Sequence, residues 1–365
     1  MLKDRQKLVG IGIVCLVIMA AGVWAWARGY VGVPGANNLG LYAPWGLYIS
    51  LFVFFEAIAV GALLMAVFYK ESKYRFQMAV AGCIAVVAAG AAIFADLGGL
   101  TKLWNILAPP NFSSPLFLDV LFMTLILIFG ILLTVNLYKE KESNFITIGT
   151  GVLAAILPIA TALLFTSLAG SPGWSSSLVL AVFLAQALLA GFAVMLILAK
   201  TESEVIRRTF IGVLIANILL VIGEIAYALY SMQANALPAL EMMTGRYALL
   251  FWAGLVLLLL IPIVLIKSRP QWAGVSVLAG LLLTKYTFVL QGKLIPYIFP
   301  GENLLVDGLQ MGSSGYLIAP AYIPTWEEFM VSIALFAFFV LAYTIVMEIS
   351  KTKKEEVAKS GNISA

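Results

Sequence analysis

Residues 51–68 read LFVFFEAIAVGALLMAVF, and residues 181–198 read AVFLAQALLAGFAVMLIL. The two runs align without a gap. Glu56 falls on Gln186, Ala57 on Ala187, Gly61 on Gly191 and Met65 on Met195. Each run is almost wholly apolar and, as a helix, long enough to cross most of a hydrocarbon core of about 30 Å. Apolar runs of this kind recur along the whole chain. Their spacing predicts an all-α integral membrane protein, a helix bundle and not a barrel.

Composition agrees. The chain has 365 residues, 62% of them hydrophobic and only 11% charged. A soluble domain carries about 25% charged residues. The sequence contains no histidine, which excludes bis-histidine haem ligation and histidine-held metals. Its two cysteines, Cys15 and Cys83, lie inside apolar runs and form no CxxC pattern. This chain alone is therefore not expected to hold an iron–sulfur cluster or a metal site, and both cysteines read as small packing residues. The net charge of +4 does not mark a nucleic-acid partner, because the basic residues sit in short loops between apolar runs.

Ten spans follow, over about 8–28, 46–68, 76–99, 115–138, 145–168, 178–199, 206–231, 246–267, 273–290 and 326–350. With the N-terminus placed in the cytoplasm, 17 of the 22 lysines and arginines fall on the cytoplasmic side. The other face keeps Arg28, Lys102, Arg246 and Lys293, and Lys285 lies within span nine. A shift of one span scrambles this asymmetry, so both termini are expected inside a cytoplasmic (inner) membrane. Ala25-Trp26-Ala27 resembles a signal-peptide cleavage site, but the preceding apolar run is longer than a usual signal core, so the first helix is expected to be retained. Spans two and six run in the same sense, which makes the repeat parallel. Residues 46–168 and 178–290 then form two pseudo-repeated four-helix bundles, flanked by the first and last helices. Residues 351–365 read as a short solvated cytoplasmic tail.

Ionisable groups inside spans are costly and mark function. There are three deep ones. Glu56 lies in span two, Glu224 in span seven and Lys285 in span nine. The last two sit at similar depth in one bundle and read either as an ion couple or as a proton-transfer step. Glu56 pairs in the repeat with Gln186, so the second bundle is not expected to duplicate its function. A further set gathers on the outer rim of the first bundle. Asn37, Asn38 and Trp45 precede span two, Asp96 ends span three, and Asp119 is read in the first turn of span four. Between the two acids runs DLGGLTKLWNILAPPNFSSPLFLD (96–119). Amides, acids and aromatics on one rim suit a polar head group whose apolar tail lies along the helices.

Two segments carry a family resemblance. PWGLYISLFVFFEAIAVGALL (44–64) resembles the second-span motif of the NrfD/PsrC family of polysulfide-reductase-type membrane subunits. The 96–119 loop is similar to that family's signature loop, with Asp-Leu-Gly, a basic residue, Trp, Asn and Ser-Pro before the next span. The family commonly has Arg where this chain has Lys102, and Pro near Leu100. The ten-span layout resembles the longer branch, which includes hydrogenase-type and DsrP-like subunits. The resemblance implies a haem-free subunit of a respiratory oxidoreductase that binds quinone or quinol, here menaquinol, on the outer rim of the first bundle. It implies electron exchange with a docked iron–sulfur, ferredoxin-like subunit, which connects to a catalytic or cytochrome subunit. Carried onto this chain, the quinone site comprises Asn37, Asn38, Trp45, Asp96, Lys102, Asn111, Ser114 and Asp119. Asp119 and Asp96 would take protons, with Glu56, Glu224 and Lys285 as further proton-transfer groups. The competing readings are a secondary transporter or ion channel for a small solute, supported by the buried charges, and an inert anchor for partner subunits. The long Gly- and Pro-containing segment 291–325 reads either as a docking surface or as a connector.

Overall fold

The computed structural model describes residues 2–39, 45–70, 72–97, 108, 110–168, 171–174, 176, 178–199, 204–231, 237–292, 310–311, 317–318 and 322–361. Eleven helices are numbered here in chain order. They are α1 (Leu2–Tyr30), α2 (Leu47–Phe68), α3 (Arg75–Asp96), α4 (Pro115–Tyr138), α5 (Asn144–Thr166), α6 (Val179–Leu198), α7 (Glu204–Ser231), the short α8 (Leu237–Thr244), α9 (Ala248–Leu265), α10 (Pro270–Gln291) and α11 (Trp326–Gly361). Ten of them are long and apolar enough to cross a membrane. The ends match the expected spans to within a few residues, because the loop charges and caps leave little freedom. At α4, for example, Pro115 takes the first helical position and the Ser114 hydroxyl accepts from Phe117 N at 3.4 Å. The chain is a multi-pass membrane protein. We call the face where α2, α4 and α6 begin the upper face.

The helices pack as two groups. In the first, α2 lies against α3 and α5, and α4 bridges α3 and α5. In the second, α10 lies against α6 and α9, and α7 packs on α6. The groups meet mainly where α2 crosses α6. The crossing is close. A Cβ on Gly61 would come within 2.8 Å of Gly191 Cα, and a Cβ on Gly191 within 2.8 Å of Gly61 Cα. These are the two glycines that the repeat aligns. Burial follows from this arrangement. In α2, 89% of the most apolar window is buried, against 17% in α1. Helices α1 and α11 pack on each other, and α11 also touches α2 and α3. The apolar outward faces of α1, α7 and α11 are the ones a bilayer would cover.

Helix α9 is not a regular α-helix throughout. Val256–Leu260 forms a π turn. Gly280 faces it, where a Cβ would stand 2.6 Å from Leu258 Cα, and the Ser276 hydroxyl donates to Leu257 O at 2.6 Å. On the lower face the buried Arg75 joins the end of α2 to the α4–α5 loop. Its Nε donates to Ala66 O at 2.8 Å and its Nη1 to Glu142 Oε1 at 2.9 Å. The segment read as a solvated tail is helical through Gly361, since α11 runs on past the apolar span. Lys, Glu and Ala in KTKKEEVAK are good helix formers, which accounts for the continuation. Most of 291–325 lies outside the described residues. Gln310–Met311 and Leu317–Ile318 within it form a two-residue antiparallel pair.

Candidate functional site

The polar centre of the first bundle is built by three helices. Glu56 on α2 is 3% exposed, and Asp119 on α4 and Thr161 on α5 are fully buried. The Thr161 Oγ1 lies 2.7 Å from Glu56 Oε1 and 2.6 Å from Asp119 Oδ1. It also lies 3.1 Å from Leu157 O, its own helix carbonyl four residues back. A hydroxyl has one hydrogen to give and two lone pairs to receive. A carbonyl and an ionised carboxylate can only accept. The set closes only if at least one carboxyl carries a proton and donates it to Thr161. Thr161 thus bridges the two acids through one hydroxyl. The remaining oxygens, Glu56 Oε2 and Asp119 Oδ2, are buried and have no hydrogen-bond partner among the described residues.

Asp119 is thus not at the rim. The helix begins at Pro115, so Asp119 stands past the first turn and its side chain points into the bundle. Asp96 ends α3, half-buried, in the electrostatic neighbourhood of Tyr48 together with Glu327 and Glu328. It does not join the Thr161 cluster among the hydrogen bonds described. Asn37 and Asn38 are exposed, and Asn38 Nδ2 donates to Ile323 O at 2.7 Å, which ties the α1–α2 loop to the approach to α11. Asn111 Oδ1 accepts from Ser113 N at 3.0 Å in a local turn, and Ser114 caps α4. Both have local structural work. Lys102 lies outside the described residues. Trp45 is half-buried and stacks on Trp174 at 5.2 Å, with Phe165 edge-on at 5.4 Å. Phe165 in turn meets Phe183 and Phe288, so an aromatic cluster seals the junction of the two groups just above the carboxyl centre.

Glu224 and Lys285 line one cavity in the second group. They form no ion pair within 4.0 Å among the described residues. Lys285 is 1% exposed, and its Nζ sits 3.5 Å from the centroid of the Phe183 ring. Both Glu56 and Glu224 lie in its electrostatic neighbourhood.

Two features were not anticipated. Thr161 is one, because a lone threonine in an apolar span usually bonds only its own helix carbonyl. The other is a strap above α2. Tyr322 OH accepts from Leu47 N at 3.0 Å and donates to Glu328 Oε1 at 2.9 Å. Glu328 Oε2 accepts from Thr325 N at 2.6 Å, and Glu328 N donates to Thr325 Oγ1 at 3.2 Å. Thr325-x-x-Glu328 is a capping box, readable in sequence as T-W-E-E. Burial, with Glu328 beside it, holds the Tyr322 hydroxyl well above the ordinary tyrosine value, so it stays a donor.

A ten-span bundle with a carboxyl pair buried in its core defines a class of multi-pass membrane protein. Within that class the chain belongs to the family described as polysulphide reductase, NrfD, whose model matches residues 35–297. It is similar to a subunit of the selenate reductase of Mesobacillus selenatarsenatis, at 22% identity over 84% of this chain and 86% of that protein. It is also similar to a Halobacterium salinarum protein named as a membrane subunit of a dimethyl sulfoxide reductase, at 26% identity over 50% of this chain. That match spans 49%, about half, of the halobacterial protein's length. Among solved structures, the bd oxidase of Geobacillus thermodenitrificans superposes with a TM-score of 0.47 at 12% identity, over 92% of this chain and 98% of that one. That likeness is too loose to define a shared fold.

Proposed function

We propose that this chain is the quinone-reactive membrane subunit of a respiratory oxidoreductase, oxidising menaquinol and passing electrons to an iron–sulfur subunit docked on the upper face. Family membership supports the coarse reading, since both relatives are named as reductase subunits and one of them as a membrane subunit. The observation that carries the finer one is the Glu56–Thr161–Asp119 set. A quinol gives up two electrons and two protons when oxidised. The buried oxygens Glu56 Oε2 and Asp119 Oδ2, without partners among the described residues, fit a group that delivers a proton at this depth. The two electrons leave through the partner.

Asp119 lies closer to the start of its helix than Glu56 does to the start of α2, so Asp119 is the acid nearer the upper face. It accepts the proton at Oδ2 as general base. Thr161 passes a proton from Asp119 Oδ1 to Glu56 Oε1 by exchanging its donor and acceptor roles. From Glu56 the next ionisable group is Lys285, then Glu224. The aromatic cluster of Trp45, Phe165 and Trp174 keeps bulk water from the carboxyls. In this reading the chain lies in the cytoplasmic membrane with both termini inside, as its loop charges favour. The transporter reading draws on the same buried charges and is separated by experiment. The purified complex is given a menaquinol analogue, and the chain alone is placed in liposomes. Oxidation of the analogue is expected. Solute flux with no quinol oxidation or binding would contradict the proposal.

A further inference from the structure

The second helix group holds a cavity of about 90 Å³ between α6, α7, α8, α9 and α10. Its lining includes the polar Gln186, Glu224 and Lys285 and the rings of Phe183, Phe251 and Phe288. Lys285 is 1% exposed, yet among the described residues its ammonium has no carboxylate within 4.0 Å and no hydrogen-bond acceptor. Its one strong contact is the Phe183 ring at 3.5 Å. A desolvated cation–π contact offsets only part of what burying an ammonium costs. The site is therefore incomplete without an oxygen acceptor. The neighbouring threonine hydroxyls keep lone pairs, but neither is hydrogen-bonded to Lys285 Nζ among the described residues. Thr284 donates to Leu281 O at 2.9 Å, and Thr287 donates to Leu283 O at 3.1 Å.

The chemistry of the occupant follows from what is left. An anion would meet Glu224, and a cation would meet Lys285. A neutral molecule with oxygens at opposite ends suits both: one oxygen accepts from Lys285, and the other accepts from the Gln186 amide or, as a hydroxyl, donates to Glu224, while the phenylalanines select a flat ring. The π turn of α9 begins directly after Leu255, which lines the cavity, and such turns occur often at functional sites. Gly280 and Ser276 hold that turn in place, so the widening is built in.

We propose that the second helix group is a second ligand site, binding a flat aromatic molecule of the quinone class with one oxygen at Lys285 and the other toward Glu224 and Gln186. The choice of quinones as the occupant rests on the reading above. The site itself rests on the cavity and on Lys285. It is separate from the Glu56–Thr161–Asp119 centre.

The test uses the full chain, purified with its native partners into nanodiscs, and menadione as the probe. Equilibrium dialysis is expected to count two menadiones per wild-type chain, with Lys285→Met weakening one of them at least tenfold. An azido-naphthoquinone photolabel on the wild type should mark the peptides carrying Tyr227 and Phe251, and excess menadione should suppress the mark. One menadione per chain in both proteins, with labelling confined to α4 and α5, overturns the second site and leaves the proposed function standing. No binding at all overturns both. If Lys285→Met yields no folded protein, the wild-type labelling pattern decides alone.

Discussion

Gly61 and Gly191 meet face to face where α2 crosses α6, each standing where the other's Cβ would have to go. The sequence repeat aligns these same two positions. The crossing therefore has the reciprocity of a two-fold contact inside one chain, with residue meeting its own counterpart. Close backbone approach through small residues is a main way helices associate in a membrane, where apolar burial gives no drive.

Adding one methyl group at either glycine should loosen the crossing. Gly61→Ala and Gly191→Ala place a Cβ against backbone, which cannot step aside as a side chain can. Each is expected to cost about 1–3 kcal/mol. Thermal unfolding in detergent measures it, and the two losses should be similar because the contact is reciprocal. A loss confined to one of them would argue against a shared crossing.

Thr161 separates relay from packing. Thr161→Val keeps the volume and removes the hydroxyl that both acids use. Quinol oxidation by the complex is expected to fall about 10²-fold, the lower range for loss of a proton-transfer group. Thr161→Ser keeps the hydroxyl and should stay within a few-fold of wild type. Equal rates in the valine and serine variants would remove Thr161 from the path.

The strap over α2 should be a stability element. Tyr322→Phe leaves Leu47 N and Glu328 Oε1 without their partner in a buried setting. That costs about 1–3 kcal/mol. Thr325→Ala removes the cap of α11 and is expected to cost about 1 kcal/mol. Melting curves of the two variants check both figures, and unchanged curves would show that the strap holds nothing.

On the lower face, magnitude distinguishes two partners of one arginine. The Glu142 side chain is 70% exposed, so its ion pair with Arg75 is worth about 0–1 kcal/mol. Glu142→Ala should barely move the melting temperature. Arg75→Ala also strips Ala66 O of its buried donor and should cost more. Equal effects would contradict this division.

Much of the fold was legible because membranes make it so. Loop charges and long apolar runs set all ten spans, and the repeat named the glycines that cross. The candidate site was legible only in part. Glu56 stands out as an acid in an apolar run and Asp119 as an acid at a helix start, but nothing in sequence says that Thr161 joins them, since its spacing is that of any threonine bonding its own helix. Asn111, Ser114 and Asn38 are assigned as ligand contacts through the family resemblance, as polar groups on the rim. The structure gives each a hydrogen bond within the chain instead. Local capping and turn bonds look the same in sequence as groups poised for a ligand. The cavity at Lys285 was half visible. Glu224 and Lys285 share a depth, but the missing ion pair is a matter of side-chain geometry.

The most direct measurement is quinol-analogue oxidation by the purified complex carrying Asp119→Asn, beside wild type. The amide keeps the shape and a hydrogen bond to Thr161 but cannot take up a proton. Oxidation is expected to fall at least about 10²-fold, with the analogue still bound. A variant that binds and oxidises the quinol at the wild-type rate would contradict the account.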